Sequence, residues 1–483
     1  MSLSPRSVHD AEPKIRPAGT TELSWCKAVP GGTGITVLAL LLCKPLDIPF
    51  LQNALRKLQI SHPIINSKLR FDSVSNTFSY VTPPTPHIRV QPFDLPSTSQ
   101  ILEAQFPEES NSVSPFHLIL EHELNTNSWQ NPDPSSDTDV FFASLYTLEK
   151  SKWVLALRLH TSACDRAAAL ALLRELMGLV GEGEGEGVET EQGKEMEVSL
   201  GIEEYIPSGQ GNKPFWARGV DMLGYSLNSL RLANLSFKDT ESPRMSRFIR
   251  LQMNTEDTCR ILSSCERQEI KLCALLAAAA LIASHSSKGI PDDYWEKYAV
   301  VTLMDCRPIL DPVLSSNHVD MLWKVFHHNS QNTAGFYHSA ILNTHDIKGG
   351  EDLWELAKRV HTSFTNAKNN KKHFSDMADI NFLMCKAIEN PGLTPSGSLR
   401  TSLVSIFEDC VIDDSNKLHQ VIGLEDFVGC ASVHGVGPSI AIFDTIRDGK
   451  MDSACVFPFP LHSREQMQEL IDELKRILLD GTT

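Results

Sequence analysis

LRLHTSACDR, residues 157–166, is the stretch on which the reading of the chain turns. An apolar run ends in His160, and Asp165 and Arg166 open RAAALALLRELMGLV, whose alanine and leucine content is that of a buried helix. A strand that passes to a helix through a turn bearing His and Asp reads as a catalytic loop. Neighbouring side chains on an extended strand point to opposite faces, so His160 and Thr161 take different sides unless the strand ends in a bulge or turn.

Outward from this stretch, VFFASLYTLEKSKWVLALRLH (140–160) is a hairpin around the polar EKSK. Upstream, GITVLALLLC (34–43) is a buried strand, and GGTG (31–34) is the turn before it. DIPFLQNALRKLQISHP (47–63) is a helix with Leu51, Leu55 and Leu58 on one face, halted at Pro63 with His62 terminating it. IINSKLRFD (64–72) and TFSYVT (77–82) follow as a strand pair. Residues 1–20 are expected to be disordered, which places a first half at 21–180. An acidic Gly/Glu loop at 181–200 and a crossover linker at 201–244 come next.

A second half spans 245–483. SRFIRLQM (246–253) is a strand, and the helix after it is capped by Asn254 and Asp257. LCALLAAAALIASHS (272–286) is a core helix, and YAVVTLMDCRP (298–308) is a strand that ends at Asp305 and Arg307. EDLWELAKRVHTSF (351–364) is an amphipathic helix. SIAIFDTIRDGKMDSACVFPF (439–459) is a hairpin around Asp448-Gly449-Lys450. The closing helix starts at a Ser463/Gln466 capping box. An α/β fold of two related halves follows.

A net charge of -16 argues against a nucleic-acid binder, which would show a clustered basic face. The longest apolar run, Ile35 to Cys43, is about half of what a membrane span needs, so no membrane insertion is expected. The 11 cysteines are scattered without CxxC pairs, which points to reduced thiols and a cytoplasmic protein. No GxxxxGK[ST], GxGxxG or GxSxG motif occurs, and the histidines, including the pair at 327 and 328, lack zinc-site spacing with cysteines. No metal is expected. Cys164 and Cys306 read as small buried residues and not as nucleophiles.

The order of these pieces resembles the CoA-dependent acyltransferase superfamily, which includes the plant BAHD enzymes, alcohol acetyltransferases and condensation domains of nonribosomal peptide synthetases. The resemblance rests on LQNALRKLQISHPIINSKLRF, LRLHTSACDR, IKLCALLAAAALIA, VVTLMDCRP and the final hairpin and helix. Without a clear DFGWG the chain is more similar to the alcohol acetyltransferase and condensation branches. The resemblance implies two chloramphenicol-acetyltransferase-like halves, each a mixed sheet with flanking helices, around a central channel entered from opposite faces.

That family's HHxxxDG motif reads HTSACDR here. A neutral imidazole suits proton abstraction from an attacking hydroxyl or amine. The resemblance places that imidazole at Thr161, which is no base near neutral pH. His160 matches the usually non-catalytic first histidine, and Arg166 replaces the family's glycine. The resemblance gives Asp165 a structural role paired with an arginine, Arg166 or Arg307. Two roles for His160 stand open: a polar residue at the strand end, or a base displaced by one position. His434, in GCASVHGVGPSIAIF, is an alternative base or a solvated loop residue.

Three functions fit. The first is transfer of an acyl group from acyl-CoA, as co-substrate with no permanently bound cofactor, to a small alcohol or amine in specialised metabolism, by a monomer. The second is cyclisation, condensation or elimination, since heterocyclisation domains of the superfamily resemble this chain in lacking the second histidine. The third is non-catalytic binding.

Overall fold

The computed structural model describes residues 12–105, 113–181, 197–214, 216, 218, 219, 224, 232–314, 334–413 and 416–482. The 327–328 histidine pair and all but the edges of the acidic loop lie outside the described residues, as does much of the linker.

The first half contributes β1 (Lys14–Pro17), β2 (Thr33–Leu42), β3 (Lys68–Asp72), β4 (Thr77–Thr82), β5 (Val90–Phe93), β6 (Thr138–Asp139), β7 (Phe141–Leu148) and β8 (Lys152–His160). The second contributes β9 (Met245–Gln252), β10 (Glu296–Asp305), β11 (His338–Ile347), β12 (Arg400–Phe407), β13 (Val411–Asp413), β14 (Leu424–Val433), β15 (Gly437–Phe443), β16 (Thr445–Arg447) and β17 (Lys450–Phe459). Each half is a mixed sheet with flanking helices. In the first the order is β14-β2-β8-β7-β5, and in the second β11-β10-β12-β15-β17-β16-β13 with β9 on β17. A small antiparallel sheet, β1-β4-β3-β6, covers one end of the first half.

β14 comes from the second half of the chain yet pairs antiparallel with β2, from Leu424↔Leu42 to Val433↔Thr33. It puts Phe427, Val428 and Cys430 into the first half's core, so the two halves share one strand and cannot part without breaking a sheet. β2 is buried at nearly every position because this strand covers one edge while helices cover its faces. In the second half the helix Leu272–Ser286 is apolar all round, and it is enclosed by the helices Leu353–Asn369 and Arg464–Gly481 and by the sheet.

Two expectations are corrected. Residues 1–20 are not disordered throughout: KIRP forms β1 along the edge of β4, and Arg16 meets Glu22 at 2.8 Å. The terminal cap is one-sided: Ser463 Oγ accepts from the Gln466 N–H at 3.2 Å, but the Gln466 amide donates to the Ser236 carbonyl instead. In the linker, the described parts pack inward, with Ile202 fully buried in a 3₁₀ turn and Leu232 bridging Lys297. Among the described residues no single helix is long and apolar enough to cross a membrane.

Buried ion pairs also join the halves. Glu121, on the helix Pro115–Asn125, is fully buried and meets Arg247 of β9 at 3.0 Å and Arg464 at 2.8 Å. Burial raises the Glu121 carboxyl and the two guanidinium groups oppose that rise. Glu121→Ala leaves two cations without this carboxylate. The expected loss of stability in urea denaturation is about 3–5 kcal/mol.

Candidate active site in the channel between the halves

β8 ends at His160, and the chain makes one 3₁₀ turn, Thr161–Ala163, before the helix Arg166–Gly181. That turn separates the motif residues. His160, opposite Ile35 of β2, points into the first half's core, where its ring lies edge-on to Trp129 at 5.0 Å. Its Nδ1 accepts from the Ser162 N–H at 3.2 Å and lies 2.7 Å from Ser162 Oγ, and burial pushes the imidazole down to about 3. Strand alternation thus takes His160 away from the channel, which corrects its reading as a displaced base.

Thr161 turns the other way, into a cavity between the two halves. Its hydroxyl lies 2.8 Å from that of Thr36, from β2, which faces the same cavity. Gly34, at φ +94°, permits the approach: a Cβ there would sit 3.0 Å from the Trp25 ring and 3.2 Å from Thr161 Oγ1.

Asp165 is buried at the far end of the turn. Its carboxylate meets Arg307 at 3.0 Å and His338 Nδ1 at 2.9 Å, and accepts from the N–H of Tyr337 at 2.7 Å and of Ala168 at 2.9 Å. Burial alone would raise this carboxyl; Arg307 and His338 outweigh it and hold the group far below the usual carboxylate range. Arg307, itself buried, bridges Asp165 and Asp305 at 3.0 Å each and lies over the Tyr337 ring. Of the two arginines offered as partner for Asp165, Arg307 is the one in place. Arg166 turns to Asp444 at 3.1 Å and lies over Phe407, 4.3 Å from the ring centroid.

His434 lies elsewhere. It lines a second cavity with Arg244 and Asn125, its Nδ1 is 3.0 Å from Ser246 Oγ, and burial pushes it down to about 4. Its ring packs on the turn at Gly32, where a Cβ would come within 1.9 Å of Nε2. His434 therefore supplies no base to the channel. Cys164 and Cys306 are both fully buried, which raises their thiols and makes thiolate formation costly.

The residue that sequence reasoning missed is His338. It opens β11 opposite Asp305 and is the only histidine lining the central cavity among the described residues. GFYHSA carries no local motif that would single it out. The walls around it are apolar, with Trp25, Phe336, Phe407, Phe427 and Phe443 among them.

No protein-family model matches the sequence, and no curated protein does either. Solved structures do match along nearly the whole chain. Trichothecene 15-O-acetyltransferase from Fusarium sporotrichioides is 11% identical, with 99% of each chain covered and a TM-score of 0.66. The nonribosomal peptide synthetase cyclization-docking bidomain from Sorangium cellulosum is 12% identical, covering 100% of this chain and 87% of that one, with a TM-score of 0.64. Polyketide synthase associated protein 5 from Mycobacterium tuberculosis is 14% identical, with 97% and 99% covered and a TM-score of 0.62.

The chain shares the two-lobed fold of these structures. In that fold HTSACDR occupies the turn from β8 to the helix Arg166–Gly181, and its Thr161 and Asp165 face the channel between the halves.

The depressed Asp165 carboxyl has a consequence for stability. Its contribution is fully present above the unfolded carboxyl's pKa of about 3.9 and is lost as pH falls through the lower folded value. Asp165→Asn should cost about 3 kcal/mol at neutral pH in urea denaturation, with the gap to the parent protein narrowing below about pH 4.

Proposed function

We propose that the protein transfers an acyl group from an acyl-CoA thioester to the hydroxyl or amine of a small apolar acceptor in specialised metabolism, as a cytoplasmic monomer. The observation that carries this reading is the apolar cavity in which Thr161, Asp165 and His338 converge from both halves. Aromatic walls with a few polar groups favour a mainly apolar ligand. Opposed substrates held in such a space gain several kcal/mol from alignment alone. Water is kept from the thioester by the same walls.

The chemistry needs hydrogen-bond donors for the oxyanion that forms as the nucleophile attacks. The Thr36 and Thr161 hydroxyls, 2.8 Å apart and both facing the cavity, are positioned for that task. Only one of the pair donates to the other, so one hydroxyl hydrogen remains for the substrate.

The test is thermal unfolding with acetyl-CoA, malonyl-CoA and aromatic acyl-CoAs, followed by thiol release in the presence of alcohols and amines. A thioester present at about 100 times its Kd adds about 2.7 kcal/mol of stability. Ala431→Trp, which fills the cavity from β14, should abolish that stabilisation while the protein stays folded. No stabilisation by any thioester and no thiol release would overturn the reading.

A further inference from the structure

The family position for the base holds Thr161, and both histidines that the sequence offered in its place face away from the channel. His338 reaches the same cavity from the opposite half. Its Nδ1 lies 2.9 Å from the Asp165 carboxylate, which is itself fixed by Arg307, the Tyr337 N–H and the Ala168 N–H. The nearby negative charge of the carboxylate favours the ring tautomer with hydrogen on Nδ1, although the ring is not aligned for a full hydrogen bond. Nε2 is then the nitrogen with a free lone pair. The ring is steadied by Phe407, edge-on at 5.6 Å, and by Phe336 at 6.3 Å.

We propose that His338 is the catalytic base of this site and that Asp165 is the residue that positions it, an assignment that rests on the acyl-transfer reading of the cavity. The acceptor's O–H or N–H gives its proton to His338 Nε2 as its oxygen or nitrogen bonds to the thioester carbonyl carbon. The tetrahedral intermediate then collapses, the C–S bond breaks, and the thiolate takes the proton back from Nε2 to leave as a thiol. Thioester and acceptor become ester or amide and free thiol, with His338 unchanged. Asp165 keeps its negative charge throughout and stabilises the imidazolium that forms between the two steps.

A histidine that merely satisfied Asp165 would show none of this reactivity, and two experiments separate the roles. In the first, thiol release is compared between the parent protein, His338→Gln and His338→Ala. His338→Gln should lower kcat by about 10²- to 10⁴-fold with little change in the thioester KM. Added imidazole should restore part of the activity of His338→Ala by entering the space left by the ring. An unchanged kcat in His338→Gln would overturn the assignment and leave the acyl-transfer reading intact, whereas thiol release absent from the parent protein too would count against that reading itself. In the second, the folded protein is treated with phenacyl bromide, an apolar alkylating agent, and its peptides are mapped by mass spectrometry. Alkylation at His338 ahead of His160 and His434 is expected. A His338 that stays unmodified overturns the assignment whatever the turnover.

Discussion

The contact between Asp165 and Arg307 is the constraint around which the channel is built. A carboxylate and a guanidinium, each nearly sealed from water, are stable only when paired and hydrogen-bonded, and here each has several partners. Asp165 immediately precedes the helix after β8 in the first half, while Arg307 opens the 3₁₀ turn that follows β10 in the second. Their pairing therefore fixes how the halves approach one another and leaves the cavity open between Thr161 and β11. The Tyr337 N–H and His338 join the same carboxylate, so the start of β11 is held by the same group. Glu121 plays the corresponding part away from the channel, with Arg247 and Arg464.

Much of the fold was legible in the sequence because its elements announce themselves locally. Apolar continuity marked β2, a leucine face and Pro63 marked the helix Ile48–Ser61, and Asp448-Gly449 marked the turn between β16 and β17. The crossing of β14 was not legible, since nothing within LEDFVGCASV distinguishes pairing with β2 from pairing within its own half. The short strand β1 was hidden for another reason: KIRP is too polar to signal burial and depends on the edge of β4.

The site was legible only in its first half. LRLHTSACDR located the turn, and strand alternation correctly separated His160 from Thr161, but alternation alone could not say which of the two faced the channel. The choice between Arg166 and Arg307 depended on distances across 142 residues of chain, and Asp444 took Arg166. His338 could not be singled out among 17 histidines, because its chemistry comes from Asp165 and not from its sequence neighbours.

The channel has Thr161 and the buried Asp165 carboxylate on one side, apolar walls, and His338 of β11 on the facing side. The measurement that tests this most directly is a crystal structure of the protein with a thioether analogue of an aromatic acyl-CoA. The account places the acyl carbonyl in the central cavity, with an acceptor-side atom within hydrogen-bonding reach of His338 Nε2, about 2.6–3.2 Å. An analogue bound only in the cavity lined by His434 and Arg244, with His338 remote from its carbonyl, would contradict it.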